Sequence, residues 1–189
     1  MMKNILILGA FLFAALAHAE VEPPKLPKIT LGVGNVHKVI VEVASIPSDR
    51  AQGLMFRKKI GDNEGMLFVY PQPHVTGMWM KNTLVPLSVA FINEKGVIIN
   101  IEEMKPETLD AHMAKAPAKY SLEMKSGWFK KRKLGPGTKI KGLEKNRFET
   151  RAFAYLDIIS WVESKVHHKT MGEILQEKYK QSKKRVYKS

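Results

Sequence analysis

Apolar and polar positions alternate with a period of two through much of this chain. Val39, Val41 and Val43 are separated by Ile40 and Glu42, and Tyr120, Leu122 and Met124 alternate with Ser121, Glu123 and Lys125. Successive strand side chains point to opposite faces, so both stretches predict strands, the first with one face buried and its other face partly covered. Short β-rich runs at Gly65 to Tyr70, Thr76 to Lys81, Ser88 to Asn93 and Val97 to Glu103 predict neighbouring strands, and Thr138 to Lys141 a last one after the Gly135-Pro136-Gly137 turn. Asn93-Glu94-Lys95-Gly96 has hairpin chemistry, with Gly96 taking the positive φ that closes a tight turn. An early helix is expected, capped by Ser48, with Ala51, Leu54 and Met55 on one inward stripe. A second short helical turn is expected over Trp128 to Arg132, and the stretch from Met104 to Pro117 reads as a loop. Short strands spaced by turns point to a mainly β (α+β) fold, a compact β-barrel-like domain with one short helix.

The period changes after Leu143. Phe148, Ala152, Tyr155, Ile159, Val162 and Val166 recur at spacings of four and three, which lines one face of a helix. Asn146 with Glu149, and Thr170 with Glu173, have capping-box spacing. A stripe this short suits docking on its own domain better than a coiled coil. At the other end, Lys3, an apolar run from Ile5 to Leu16 and Ala17-His18-Ala19 have the form of a cleaved export signal. The run is shorter than the roughly 20 residues that span a bilayer. Pro23, Pro24 and Pro27 then predict an extended tether. The expected organisation is a signal peptide at 1–19, a Pro-rich tether at 20–28, the β-barrel-like domain at 29–143, and a C-terminal helical appendage with a basic tail at 144–189. The expected location is periplasmic or extracellular.

Composition narrows the chemistry. The chain of 189 residues has no cysteine, which removes disulfides, thiol catalysis and thiolate metal sites. Its formal charge is +13, or +12 once residues 1–19 and their single lysine are removed. For an exported protein the available polyanions are lipid headgroups, cell-wall polymers and acidic proteins, so no nucleic-acid partner is expected. The tail from Lys178 to Ser189 is basic without an acid, and Lys125, Lys130, Lys131, Arg132 and Lys133 form a second cluster; either supports peripheral contact with an anionic surface.

The densest fingerprint is Gly77 to Leu87, GMWMKNTLVPL. Together with Arg50, Gly53, Leu54, Met55 and Arg57, with Gly65-Met66-Leu67-Phe68, and with Leu122-Glu123 and Gly127, it resembles the exported family known as domain of unknown function 192. The resemblance covers about Val39 to Lys141. It implies a small, mostly β fold with a short helix, often behind a signal peptide, and no established reaction. Two positions depart from the family pattern, Ser88 and Thr138 standing where it usually has acids.

Candidate ligand-binding residues are Arg57, Trp79, Lys81, Asn82, Glu102 and Glu123. On a strand, Trp79 and Lys81 face away from Met78 and Met80, and with Arg57 they would surround an anionic or ring-bearing ligand. The favoured structural account places Trp79 in the core, lets Lys81 snorkel, and gives Asn82 and Thr83 to a turn. Met55, Met66, Met78, Met80, Met104, Met113 and Met124, with His74 and His112, are soft ligands in principle, but methionine is a common core filler, so neither a metal nor a cofactor is implied. Glu102 and Glu103 are consecutive and diverge on a strand, and no acid–histidine spacing marks a catalytic set. The expectation is a non-catalytic binding or accessory module for an anionic envelope component. The alternatives are an enzyme acting on a small envelope molecule in a cleft near Trp79 and Lys81, and a protein-partner module working through the C-terminal helices.

Overall fold

A computed structural model of the chain describes residues 26–143 together with 155, 156, 158–160 and 162. The segments expected to be a signal peptide, most of the expected tether, the basic tail and nearly all of the expected helical appendage lie outside these residues. Those described beyond 143 are helical, and Val162 is buried.

The elements in chain order are β1 (Lys28–Val33), β2 (His37–Ala44), α1 (Pro47–Gln52), β3 (Glu64–His74), β4 (Gly77–Met78), β5 (Leu87–Ile92), β6 (Ile98–Met104), β7 (His112–Met113), β8 (Ala118–Lys125), α2 (Trp128–Lys131) and β9 (Ile140–Lys141). Seven strands form one sheet in the order β6-β5-β8-β3-β2-β1-β9, and β4 pairs with β7 apart from it. β2 and β3 run parallel, joined by a crossover through α1; the other ladders are antiparallel.

The two faces of the sheet bury different sets of side chains, as period-two alternation requires. One cluster joins Leu31, Val33 and Ile140 to Ala90, Ile92 and Ile98 by way of Val41, Leu67 and Leu122. These residues come from opposite ends of the strand order, so the sheet must curl until its ends meet. Hydrogen bonds at the seam complete the curl: Ile98 N–H to Thr138 O at 2.9 Å, Gly137 N–H to Ile98 O at 2.9 Å and Ile140 N–H to Gly96 O at 2.8 Å. The result is a mainly β, curled half-barrel. Fully burying each such aliphatic or aromatic side chain is worth about 1.5–3 kcal/mol, which is how a cysteine-free chain holds this shape.

The outer face carries Met66, Phe68, Tyr70, Leu87, Val89, Phe91 and Met104. Loops together with the small β4–β7 pair cover it, contributing Leu54, Met78, Met80, Val85 and Ala114.

Local expectations are met in part. Gly96 has φ 74° and closes the turn with its N–H on Asn93 O at 2.9 Å. The early helix starts one residue before Ser48 and is not capped by it: Ile46 is the N-cap, and Pro47 supplies the preset φ of a first helical position. Gly53, at φ 51°, ends it, so Leu54 and Met55 lie beyond the helix. β4 stops at Met78, leaving Trp79 to Lys81 outside any strand.

Candidate functional site

Three loop segments over the outer face are laced by their backbones. Phe56 N–H donates to Asn82 O at 2.8 Å, Met80 N–H to Thr108 O at 3.0 Å and Glu107 N–H to Thr83 O at 3.1 Å. Phe56, Asn82 and Glu107 hold left-handed backbone, at φ 62°, 54° and 59°. Asparagine tolerates that region; a phenylalanine there is an outlier, and such residues cost of order 1–3 kcal/mol each. The lacing therefore imposes conformations that the residues do not prefer. What it presents outward includes large apolar side chains among charged ones: Phe56 is 62% exposed, Trp79 50%, Leu84 45% and Leu109 67%, beside the exposed Lys81, Lys105, Glu107 and Asp110. The Lys81 ammonium lies 5.4 Å from the centroid of the Trp79 ring, within cation–π range.

Beneath this layer, strand register sets acids in one row. Glu102 on β6 opposes Val89 on β5; Val89 opposes Glu123 on β8; Glu123 opposes Met66 on β3; and Met66 opposes Glu42 on β2. With strands ~4.8 Å apart, Glu123 stands ~10 Å from Glu102 on one side and from Glu42 on the other. Their environments differ. Glu42 Oε2 accepts from Arg57 Nη2 at 2.8 Å. Glu102 is half-buried and accepts from Asn100 Nδ2 at 3.0 Å. Glu123 is 3% exposed among apolar neighbours, and burial pushes its pKa up to about 8. Nearby, the buried Tyr70 hydroxyl lies 3.1 Å from Ser121 Oγ, and burial raises its pKa too.

The structure thus gathers the sequence candidates into two levels. Trp79, Lys81 and Asn82 lie in the loop layer, and the Phe56–Asn82 hydrogen bond brings the Arg57 segment beside them. Glu102 and Glu123 lie on the sheet below. Trp79 does not plug the core. Met80 does, at 0% exposure, because the chain leaves β4 and turns before the tryptophan can reach inward. Glu102 and Glu103 do diverge: Glu103 accepts from Ser88 Oγ and Ser126 Oγ, each at 2.7 Å. Ser88 therefore serves as a donor to Glu103.

Glu42, Tyr70 and Phe56 were missed as site residues. Glu42 and Tyr70 read as ordinary strand positions, and nothing local marks Phe56 as left-handed. Met66, Met80, Met104 and Met124 fill core positions. No group of three or more His, Cys, Asp or Glu suited to a metal ion occurs among the described residues.

The model of the DUF192 family, described as Uncharacterized ACR, matches residues 29–142. Among solved structures, a candidate transcription regulator from Sinorhizobium meliloti 1021 is 33% identical with a TM-score of 0.61, the match covering 63% of this chain and 96% of that one. A protein of unknown function from Novosphingobium aromaticivorans DSM 12444 is 29% identical with a TM-score of 0.59, covering 61% and 86%. No curated protein matches the chain.

Proposed function

The chain belongs to the DUF192 family, and for this member we propose a non-catalytic binding module that docks its loop layer on the anionic lipid surface of the cell envelope. The observation that carries this reading is the exposure of Trp79 beside Lys81 on a braced surface with the apolar Phe56, Leu84 and Leu109. Tryptophan favours the membrane interface, where its ring meets the acyl boundary and neighbouring cations meet headgroups. Glu107 and Asp110 flank Leu109, so long-range attraction comes from the +13 balance of the whole chain rather than from the loops alone. A rigid loop layer also inserts without an ordering cost at the moment of binding.

The test is co-sedimentation of the full chain with phosphatidylglycerol vesicles across a salt series. Binding is expected at low salt, weakening as salt rises. Trp79→Ala is expected to weaken it about tenfold or more, the loss typical of a buried aromatic anchor. Binding to neutral vesicles as strong as to anionic ones would defeat the proposal, as would binding only to purified cell-wall fragments. Two features argue against catalysis at this layer: Glu102 and Glu123 lie ~10 Å apart across Val89, and Arg57 is engaged by Glu42.

A further inference from the structure

Arg57 is satisfied on only part of one edge. Its Nη2 donates to Glu42 Oε2 at 2.8 Å, while its Nε, shielded from solvent, has no acceptor. Nε and Nη2 share the edge of the guanidinium plane that takes a carboxylate side-on through both oxygens. Glu42 therefore fills half of a two-point fork, and a buried donor is left over, which is costly.

The same pair lines a cleft of about 40 Å³ whose rim carries Lys28, Lys59 and Glu64 and whose wall includes Ile40 and Ile60. Lys28 and Lys59 make no ion pair among the described residues. The Glu64 carboxylate is turned to the Gly61 N–H, 3.3 Å away. Since one water needs ~10–15 Å³ of such space, the cleft admits a headgroup of about three heavy atoms. That is the size of a carboxylate, and too small for a sugar. Ile40, 50% exposed at the wall, offers an apolar surface to whatever follows the headgroup.

We infer that this cleft is a binding site for a small carboxylate with a short apolar tail, seated on the Nε–Nη2 edge of Arg57. Glu42 yields that edge and turns to Lys28, its direct cross-strand partner on β1. Opposed residues in such a ladder have Cβ atoms ~5 Å apart, so the displaced carboxylate keeps a cation within reach. Lys59 meets the incoming charge at the rim, and Ile40 with Ile60 receives the tail. The site borders the loop layer proposed to meet lipid, sharing Leu54 as a lining residue and lying one residue beyond Phe56, but seating a carboxylate on Arg57 does not require that layer to meet lipid.

Calorimetric titration of the full chain with sodium hexanoate at low salt tests this, with acetate as the tail-less comparison. Hexanoate is expected to bind saturably and more tightly than acetate. Arg57→Gln is expected to weaken it at least about tenfold, since it removes a charge-assisted pair. Glu42→Gln removes the internal competitor and is expected to tighten it several-fold. Lys130→Gln, on the exposed side of α2, leaves it unchanged. Absence of saturable binding, full binding in Arg57→Gln, or weaker binding in Glu42→Gln overturns the inference. If Arg57→Gln lowers the melting temperature, Lys59→Gln decides instead: its side chain is exposed, about a threefold loss is expected for a rim cation, and unchanged affinity counts against the site.

Discussion

Glu123 makes folding depend on pH in a direction opposite to that of most carboxylates. Its side chain is 3% exposed on the outer face of β8, between Val89 and Met66, and burial lifts its pKa from 4.5 to about 8. Below pH 4.5 the acid is protonated in both folded and unfolded chains, and the interior holds a neutral group. Between 4.5 and 8 the unfolded chain releases the proton and the folded chain keeps it, so the folded state binds more protons and stability falls as pH rises. Above about 8 both states are ionised and the loss is complete. At ~1.4 kcal/mol for each tenfold difference in proton affinity, the whole span amounts to ~5 kcal/mol, of which ~3 kcal/mol is already lost at pH 7. That is a large part of the 5–15 kcal/mol typical of a domain. Glu123→Gln keeps the shape and removes the proton equilibrium. Urea unfolding of both proteins at pH 4.5, 7 and 9 isolates the effect, because every other titrating group cancels in the difference. The variant is expected to gain progressively on the native chain, by ~3 kcal/mol at pH 7 and by ~5 kcal/mol at pH 9. Parallel profiles for the two proteins, or a native chain that gains on the variant with rising pH, would refute the reasoning.

Two further substitutions test the packing that positions the loop layer. A Cβ at Gly65 would collide with the carbonyl oxygen of Glu123 and with Met124 Sδ across the β3–β8 ladder. Because one of these is backbone and cannot swing aside, Gly65→Ala is expected to cost ~3 kcal/mol or more in chemical denaturation. Phe56→Gly relieves a left-handed phenylalanine that is 62% exposed and so forfeits little burial. It is expected to raise stability by ~1 kcal/mol, read as a melting temperature several degrees higher. A lower melting temperature would mean that the ring contributes more to packing than its exposure indicates.

The alternation of Val39, Val41 and Val43, and of Tyr120, Leu122 and Met124, is a local property. It was enough to give the β class and the apolar face of each strand, while the Gly96 turn was read from the Asn93-Glu94-Lys95-Gly96 segment; that β8 also buries its other face, at Ser121 and Glu123, was not legible there. The family fingerprint was equally legible, because it consists of residue identities in order. Strand order was not, since a strand's side-chain period says which face is buried and nothing about which strand lies alongside. Pairing β8 between β3 and β5 is what puts Glu123 in a row with Glu102 and Glu42. Trp79 shows the same limit from the other side: its neighbours have strand composition, so an inward tryptophan was the natural expectation. The backbone bonds from Met80 to Thr108 and from Phe56 to Asn82 hold the chain in a turn there and leave the ring in water. Side-chain periodicity fixes which residues can be buried together. Contacts between segments distant along the chain select among those possibilities, because only they decide which hydrogen-bonding groups and which charges are finally left to one another.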